Sequence, residues 1–367
     1  MDQRIDRVAE ILVNYSTEVR QGDLVMIHLY EPIAEPLGLA LYRHVLAAGG
    51  NAIFRMAPTG ADYIFYRYAS DDQIDYLDPM FHWLMANIDV RLAVRAPVNT
   101  KALTSIDPAR VSRFQKSQAP ITATFMERQA SGALRWSLTQ FPTQAAAQDA
   151  EMSLSEYEEF VYGACMVHLD DPVAYWRAKS AEQQRLVDWL KGKDRITVKG
   201  EHIDLTLSIR DRVFINADGK HNFPDGEIFT GPVEDSVSGW VRFTYPAIYG
   251  GREVDGVELT FEDGRVIQAS AKKGQDFLNA TLDTDAGSRY LGEFAIGTNE
   301  AIQRFTRNIL FDEKIGGTVH MAVGAGYPNT GSVNKSAIHW DMICDMRSGG
   351  EIWVDGVLFY QNGEFKV

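Results

Sequence analysis

The chain has 367 residues, of which 45% are hydrophobic and 11% aromatic, so it can bury a large core in one or two domains and is not a disordered protein. Acidic residues outnumber basic ones by 50 to 36, giving a net charge of −14 without any Lys- or Arg-rich block, so nucleic acid and anionic membranes are poor partners. No apolar run approaches the ~18 residues of a membrane span, and the N-terminus does not resemble a secretion signal. We therefore expect a cytoplasmic protein.

The first half of the chain alternates between helical and strand patterns. Apolar residues spaced three and four apart predict an amphipathic helix over residues 3–20. Strands are predicted at 24–29, 51–56, 89–96 and 121–127, and helices around 36–50, 70–88 and 107–118. This alternation predicts a doubly wound, mostly parallel sheet covered on both faces. The first strand-to-helix turn has no glycine and carries two acids, so no nucleotide cofactor is predicted there.

Helical patterns dominate residues 142–192 and suit a connector between domains. A capping box is predicted between Ser153 and Glu156, and a long amphipathic helix closes at Gly192. Beyond it, short strands separated by Asp-Gly, Asn-Gly and Gly-Gly turns predict antiparallel β structure, with helices beginning near Ala286 and Asn299. We predict an α/β domain at 1–192, followed by an α+β, β-rich domain at 193–367.

The two cysteines do not suggest a metal or redox motif. Cys165 and Cys344 lie in apolar segments far apart in the chain, and they form no C-x-x-C pair. We expect both to be buried free thiols in a reducing compartment.

Histidine and carboxylate side chains are concentrated between residues 313 and 345. His320 lies within a short apolar strand, with small residues beside it on the same face. His339 and Asp341 are two residues apart on a second strand, so they point to the same side. The turn between the strands places Tyr327 near both histidines. These groups suit zinc, cobalt, manganese or iron, although two structurally satisfied core histidines are the alternative.

Two glutamates in the same half have unusual neighbours. Glu227 follows a Pro-Asp-Gly turn at the mouth of a strand, and Glu293 is surrounded by apolar residues. A buried carboxylate is costly unless it is paired or bound to a metal. An ion pair is the alternative for either residue, and Arg289 lies only four positions from Glu293.

Four segments of this half resemble the M29 family of thermophilic aminopeptidases, namely NFPDGEIFTGP, YLGEFAIGTN, LFDEKIGGTVHMAVGAGYP and IHWDMICD. The N-terminal segments RQGDLVMIH and PTQAAAQDAEMSLSEYEEFVYGA extend the resemblance over nearly the whole chain. The resemblance implies a homodimer that acts on peptides. It also implies an active-site tyrosine at Tyr327 and the metal ligands Glu227, Glu293, Glu313, His320, His339 and Asp341.

This ligand set implies a dinuclear metallo-aminopeptidase. Mononuclear catalytic zinc sites use about three protein ligands, so five or six ligands suit two divalent ions of zinc, cobalt or manganese. A hydroxide shared by the ions would attack the peptide carbonyl. Glu293 or Glu313 would transfer the proton, and Tyr327 would donate to the oxyanion.

Two other functions are compatible with part of the pattern. A mononuclear non-haem iron ring-cleaving dioxygenase of the dihydroxypyridine type would use His320, His339 and Asp341, and such an enzyme resembles the M29 family in fold. The presence of Glu227 and Glu293 favours two ions and hydrolysis. A binding protein with a vestigial site would lack a ligand, and none is missing.

Overall fold

The structure is a computed structural model that describes residues 2–367. The chain divides into two compact units. Unit 1 runs to Trp176 and includes Gly219–Phe223, and unit 2 comprises Arg177–Asp218 and Pro224–Val367. The division falls inside the helix Pro172–Leu190, whereas the boundary predicted after residue 192 lies just beyond the end of that helix.

The α-helices, numbered in chain order, are α1 (Gln3–Ile11), α2 (Glu35–Ala47), α3 (Ala61–Tyr68), α4 (Asp71–Ile74), α5 (Pro79–Asn87), α6 (Pro108–Ser117), α7 (Ala119–Ala130), α8 (Gln144–Asp149), α9 (Leu154–Ala164), α10 (Pro172–Leu190), α11 (Gln275–Leu282) and α12 (Ile309–Asp312). A π-helical turn, Leu12–Ser16, continues α1, and 3₁₀ turns occur at Pro32–Ala34 and Pro328–Thr330. Within residues 2–367, no helix has both the length and the apolar character needed to cross a membrane.

The strands are β1 (Leu24–Leu29), β2 (Asn51–Met56), β3 (Val90–Arg95), β4 (Arg135–Gln140), β5 (Arg195–Gly200), β6 (Ile203–Ser208), β7 (Ile215–Ala217), β8 (Asn222–Phe223), β9 (Glu227–Thr230), β10 (Ser238–Arg242), β11 (Ala247–Tyr249), β12 (Arg252–Val254), β13 (Glu258–Glu262), β14 (Arg265–Ser270), β15 (Leu291–Gly297), β16 (Thr318–Gly324), β17 (His339–Asp345), β18 (Glu351–Val354), β19 (Val357–Gln361) and β20 (Glu364–Phe365).

Unit 1 is built on a parallel sheet with the strand order β2-β1-β3-β4-β8. Because side chains alternate along a strand, Val25 and Ile27 face one side of β1 and Met26 faces the other. The first pair packs with residues of α1 and α2, and Met26 packs with residues of α5 and α7. Helices therefore cover both faces, and the predicted doubly wound α/β fold is confirmed.

One predicted strand of unit 1 is wrong. Residues 121–127 lie inside α7, and the fourth strand of the sheet is β4 instead. Ile121 and Phe125 are one helical turn apart and both pack in the cluster around Met26, while Pro120 occupies the first turn, where its missing N–H costs nothing. The β-branched residues misled the prediction because packing overrides strand propensity. Strand β4 was missed because its buried positions include the polar Ser137 and Thr139.

Unit 2 is dominated by antiparallel sheets, as predicted. One has eight strands in the order β14-β13-β10-β6-β5-β18-β19-β20, and another, here called the site sheet, has the order β17-β16-β15-β9-β7. Both contribute to one apolar core, to which Leu205 and Val241 come from the first sheet and Phe294 and Met321 from the site sheet. The predicted fold class is confirmed.

The helices predicted near Ala286 and Asn299 are absent from the described chain: Ala286 lies in a turn, and Asn299 forms an isolated β-bridge with Ile315. Side chains compete with helix formation at each point. The carboxylate of Asp285 accepts a hydrogen bond from the backbone N–H of Gly287, and the side-chain oxygen of Asn299 accepts one from the N–H of Ala301. The helical segment of this region is α11, which begins after Gly274.

Two smaller predictions are confirmed in the structure. The Ser153 hydroxyl accepts a hydrogen bond from the Glu156 N–H at 3.2 Å, and the Glu156 carboxylate accepts one from the Ser153 N–H at 2.8 Å, so the capping box is complete. Cys165 and Cys344 are both buried free thiols.

Unit 1 contains a histidine that should make its stability depend on pH. Burial, together with the nearby Arg91 and Arg55 guanidinium groups, lowers the pKa of His28 to about 3. An unfolded histidine titrates at about 6.5, so between these values the unfolded chain binds more protons and stability falls as the pH falls.

We expect the His28→Asn variant to lose this contribution, which is at most about 1.4 kcal/mol per pH unit for one proton. Urea unfolding of wild type and variant at pH 7 and pH 5 measures it, and the variant should lose less stability on acidification. The exposed His168 provides a matched control as His168→Asn. An equal acid loss in H28N and wild type would contradict the prediction.

Candidate metal centre

One face of the site sheet carries five of the predicted metal ligands. Glu227 begins β9, Glu293 lies on β15, His320 on β16, and His339 and Asp341 on β17. The alternate residues on these strands, including Phe294, Met321 and Met342, belong to the apolar core. The period-two alternation of the strands thus separates a polar face from the core face.

Small residues lie opposite these ligands on a neighbouring strand. In the strand register, His339 pairs with Gly324, Asp341 with Ala322, His320 with Ala295, and Glu227 with Gly297. Glycine and alanine at these positions leave space above the sheet. The small residues beside His320 in the sequence predicted such space.

Gly324 is required by the local backbone. Its φ of +105° is rarely adopted by residues with a side chain, and a Cβ atom there would lie 2.2 Å from the carbonyl oxygen of Ile338. That carbonyl accepts a hydrogen bond from the N–H of Ala325. The glycine therefore allows the end of β16 to approach Ile338 closely, directly before His339 on β17.

The first ligand group consists of Glu227, Glu293 and His320, whose donor atoms lie within 4.8 Å of one another. Nε2 of His320 lies 3.3 Å from Oε2 of Glu227 and 3.8 Å from Oε1 of Glu293. All three residues are buried.

The second group consists of Glu293, His339 and Asp341, again with donor atoms within 4.8 Å. Nε2 of His339 lies 3.0 Å from Oε2 of Glu293 and 3.4 Å from Oδ1 of Asp341. Its Nδ1 lies 2.7 Å from the carbonyl oxygen of Ala325, which can only accept, so Nδ1 carries the proton and Nε2 faces the carboxylates. Glu293 belongs to both groups, with one oxygen directed at each histidine.

Glu313 also reaches this site. It follows α12 directly and forms a third group with His320 and Asp341. The structure thus brings all six predicted ligands together. The alternative pairing of Glu293 with Arg289 does not occur, because Arg289 binds Asp283 at 2.7 Å.

Lys314 is a central residue that the sequence analysis missed. Its side chain is 1% exposed, and its Nζ lies 3.2 Å from Oδ1 of Asp225 and 2.7 Å from Oε1 of Glu313. It also binds Oε1 of Glu227. The only signal in the sequence was a lysine directly after a candidate ligand, because its other partners are distant in the chain.

The charges in the site perturb its titrating groups strongly. Burial raises the pKa of Glu227 to about 8. Burial alone would also raise the pKa of Glu293, but hydrogen bonds from both histidines lower it to about 2. Burial opposes protonation of the imidazoles, yet the carboxylates raise the pKa to about 9 for His320 and to about 12 for His339.

Lys314 shows the same competition. Burial would lower its pKa, but Asp225, Glu227 and Glu313 raise it well above the usual value. The carboxylates of the site therefore favour the protonated form of Lys314 and of both histidines.

Several side-chain atoms that could ligate a metal in this site lack a hydrogen-bond partner. Oε2 of Glu227, Oδ1 of Asp341 and Nδ1 of His320 are buried and have none. Buried polar atoms are normally satisfied, and orphaned ones call for an explanation such as an ion. A divalent cation would satisfy the two carboxylate oxygens, and oxygen and imidazole donors are those that zinc, cobalt and manganese accept. The residues present therefore fit a metal site.

Comparison with known proteins places this geometry in a family. Residues 1–365 match the family model described as thermophilic metalloprotease (M29). The chain belongs to the M29 family. Its membership confirms both the resemblance found in the sequence and the prediction of a metallo-aminopeptidase, and it implies that the protein uses divalent metal.

Relatives of this M29 member carry aminopeptidase names. Aminopeptidase 2 of Geobacillus stearothermophilus is 26% identical, with 97% of this chain and 94% of the relative covered. Aminopeptidase AmpS of Bacillus subtilis (strain 168) is 31% identical over 62% of this chain and 60% of its own length.

Two solved structures share the fold of this M29 protein. Wild-type AmpT from Thermus thermophilus has a TM-score of 0.86 and 23% identity, with 100% of this chain and 99% of that chain covered. The 2,5-dihydroxypyridine dioxygenase from Pseudomonas putida KT2440 has a TM-score of 0.56 and 11% identity, with coverage of 100% and 96%.

Tyr327 of the M29 site lies in the turn between β16 and β17, next to one of the two histidines. Its ring centroid is 5.1 Å from that of His339 and 5.5 Å from that of Phe229. Partial burial and the carboxylates of Glu293 and Asp341 raise its pKa, so the hydroxyl remains protonated at neutral pH and can donate a hydrogen bond.

Replacing Lys314 should destabilise the metal-free M29 protein. Lys314→Met leaves buried carboxylates without their cation. Removing one partner of a buried ion pair lowers the free energy of unfolding by about 3–5 kcal/mol. Urea unfolding of chelator-treated protein measures this loss. Added zinc or manganese should restore more stability to the variant than to the wild type, because an ion can replace part of the missing charge.

Lys273→Met is the matched control. That lysine pairs with Glu253 at 3.2 Å, but its side chain is 68% exposed, and exposed pairs contribute about 0–1 kcal/mol. Equal losses of stability in the two variants would argue against a central role for Lys314.

Proposed function

We propose that this protein removes the N-terminal residue from peptides with the help of two divalent metal ions. The proposed ligands are Glu227, Glu293, Glu313, His320, His339 and Asp341. The observation that carries the proposal is the position of Glu293, which belongs to the ligand groups of both histidines and directs one oxygen at each, since such a carboxylate can bridge two ions.

Bound ions would polarise the scissile carbonyl and lower the pKa of bound water from ~15.7 to ~7, which supplies a hydroxide nucleophile. The chain's own groups then handle the proton and the developing charge. Burial raises the pKa of Glu313, which makes its carboxylate a better proton acceptor, so it can take the proton released by the attacking water and pass it to the leaving amine. Glu293 is the other carboxylate in reach, but its two oxygens already face the histidines.

The hydroxyl of Tyr327 donates to the oxyanion that forms on the attacked carbonyl. Its ring stands edge-on to His339, and the residue as a whole is 44% exposed, so a substrate can approach it.

The acidic lining accounts for a preference for the chain end. A free peptide terminus carries a positive α-ammonium group, which the carboxylates of the site attract, whereas an internal peptide bond has no such charge. Asp341 and Glu313 have side chains that are 13% and 15% exposed and are the most accessible of these carboxylates.

A ring-cleaving dioxygenase is the second candidate, because the fold of the 2,5-dihydroxypyridine dioxygenase aligns with the whole of this chain. His320, His339 and Asp341 could hold a single iron. The convergence of Glu227 and Glu293 with the histidines favours two ions and hydrolysis. A homodimer, a cytoplasmic location and the choice among zinc, cobalt and manganese remain predictions.

Metal content tests the two-ion proposal directly. Elemental analysis of protein purified without chelator should find about two divalent ions per chain, and hydrolysis of a leucyl anilide should require them.

Variants of the ligands separate the two ions. Glu227→Gln alters one ligand group and should leave about one ion per chain, whereas Glu293→Gln alters the shared carboxylate and should weaken the binding of both ions. His339→Ala should abolish hydrolysis, while His168→Ala should not. A single iron without hydrolysis would instead establish the dioxygenase.

Tyr327→Phe tests the oxyanion role. Loss of one such donor should lower kcat by about 100-fold or more. KM and metal content should change little, because the ring and the ligands are retained. Tyr63→Phe, which alters an exposed tyrosine of α3, is the control. If Tyr327→Phe also removes metal, the tyrosine supports the ligands and does not act on the substrate.

A further inference from the structure

Unit 1 contains a cavity of about 500 Å³ on the face of the parallel sheet covered by α5 and α7. Its walls are strongly aromatic, with Phe65, Phe81, Phe114 and Phe125 among them. Known small-molecule sites have volumes of about 300–1,000 Å³ and are mostly apolar with a few polar groups. The cavity thus has the size and lining of a ligand site, and the proposed peptidase activity gives it no role.

Two arginines from the sheet line this cavity. Arg55 lies near the end of β2, and its Cζ is 4.1 Å from the ring centroid of Phe81. Arg91 lies on β3, and its Nη2 donates to the Tyr30 hydroxyl at 2.9 Å. The Nε of Arg91 is buried and has no hydrogen-bond partner.

The positive charge of the cavity is only partly balanced. Asp78 is its one acidic lining residue. One carboxylate oxygen of Asp78 caps α5, accepting hydrogen bonds from Met80 N–H at 2.9 Å and Phe81 N–H at 3.2 Å. The other lies 3.4 Å from Arg55, a long contact. His28, next to Arg91, has a pKa near 3 and adds no charge at neutral pH, so two guanidinium groups face one carboxylate.

The two arginines lie on one face of the sheet. They come from the strands that flank β1 in the order β2-β1-β3-β4-β8. In the strand register Arg55 pairs with His28 and Arg91 with Met26, so both arginine side chains share the face of Met26, which α5 and α7 cover.

We propose that this cavity binds a small carboxylate with an aromatic or branched apolar body. A planar carboxylate can accept two hydrogen bonds from a guanidinium group, including its Nε–H, and so would satisfy the orphaned atom of Arg91. The phenylalanine rings would enclose the apolar body. A phosphate ligand is less suited, because the glycine-rich turn that presents backbone N–H groups to phosphates is absent after β1.

Binding of 1-naphthylacetate to the full-length protein tests the proposal, with 1-naphthylacetamide as its uncharged counterpart. Calorimetry should show that the acid binds and that the amide binds at least tenfold more weakly. Inorganic phosphate should not compete with the acid. Arg91→Met should weaken acid binding at least tenfold, and the exposed Arg43 gives the matched control Arg43→Met.

Two further variants keep the outcome unambiguous. Ile121→Trp fills the cavity from α7 and should abolish binding without altering either arginine, and urea unfolding reports whether each variant is folded. The His339→Ala variant should still bind the acid, because the cavity does not use the metal centre. Equal binding of acid and amide, unchanged binding in R91M, or loss of binding only in H339A would overturn the proposal, whatever the fate of the proposed peptidase function.

Discussion

The gathering of carboxylates in the interior of unit 2 is the constraint on which its structure depends. Those that meet Lys314 or the two histidines are Asp225, Glu227, Glu293, Glu313 and Asp341. An ionised carboxylate removed from water costs several kcal/mol unless a cation or hydrogen-bond donors compensate. The chain itself supplies one lysine and two imidazoles. A centre that binds divalent cations follows from this imbalance, and the M29 membership of the chain agrees with it.

The site sheet converts simple spacing in the sequence into a three-dimensional ligand set. On each strand, one side of the backbone faces the apolar core and the other faces the ligands, so each strand contributes to both stability and chemistry. Alanine and glycine opposite the ligands keep the polar side open. The sheet register, fixed by the core residues, therefore also fixes the distances among the ligands.

The fold class and the ligand-bearing strands could be predicted because both rest on local periodicity. Alternation along a strand placed His339 and Asp341 together, and family motifs brought in the two glutamates from more distant strands. Lys314 escaped because its charge partner Glu227 lies 87 positions away, and no local pattern reports such a contact. Residues 121–127 failed for a related reason, since the packing of Ile121 and Phe125 against the sheet decided between helix and strand.

Lys314 has a consequence for the order of events in the life of the molecule. An amino-acid side chain is present from the moment of synthesis, whereas a metal ion must be acquired from a cell in which its supply varies. A lysine held by three carboxylates gives the newly made chain an internal counter-ion, so the site sheet can assemble before any ion arrives. Folding and metal binding are then separable steps, in contrast to small metal-dependent domains that fold only when the ion binds.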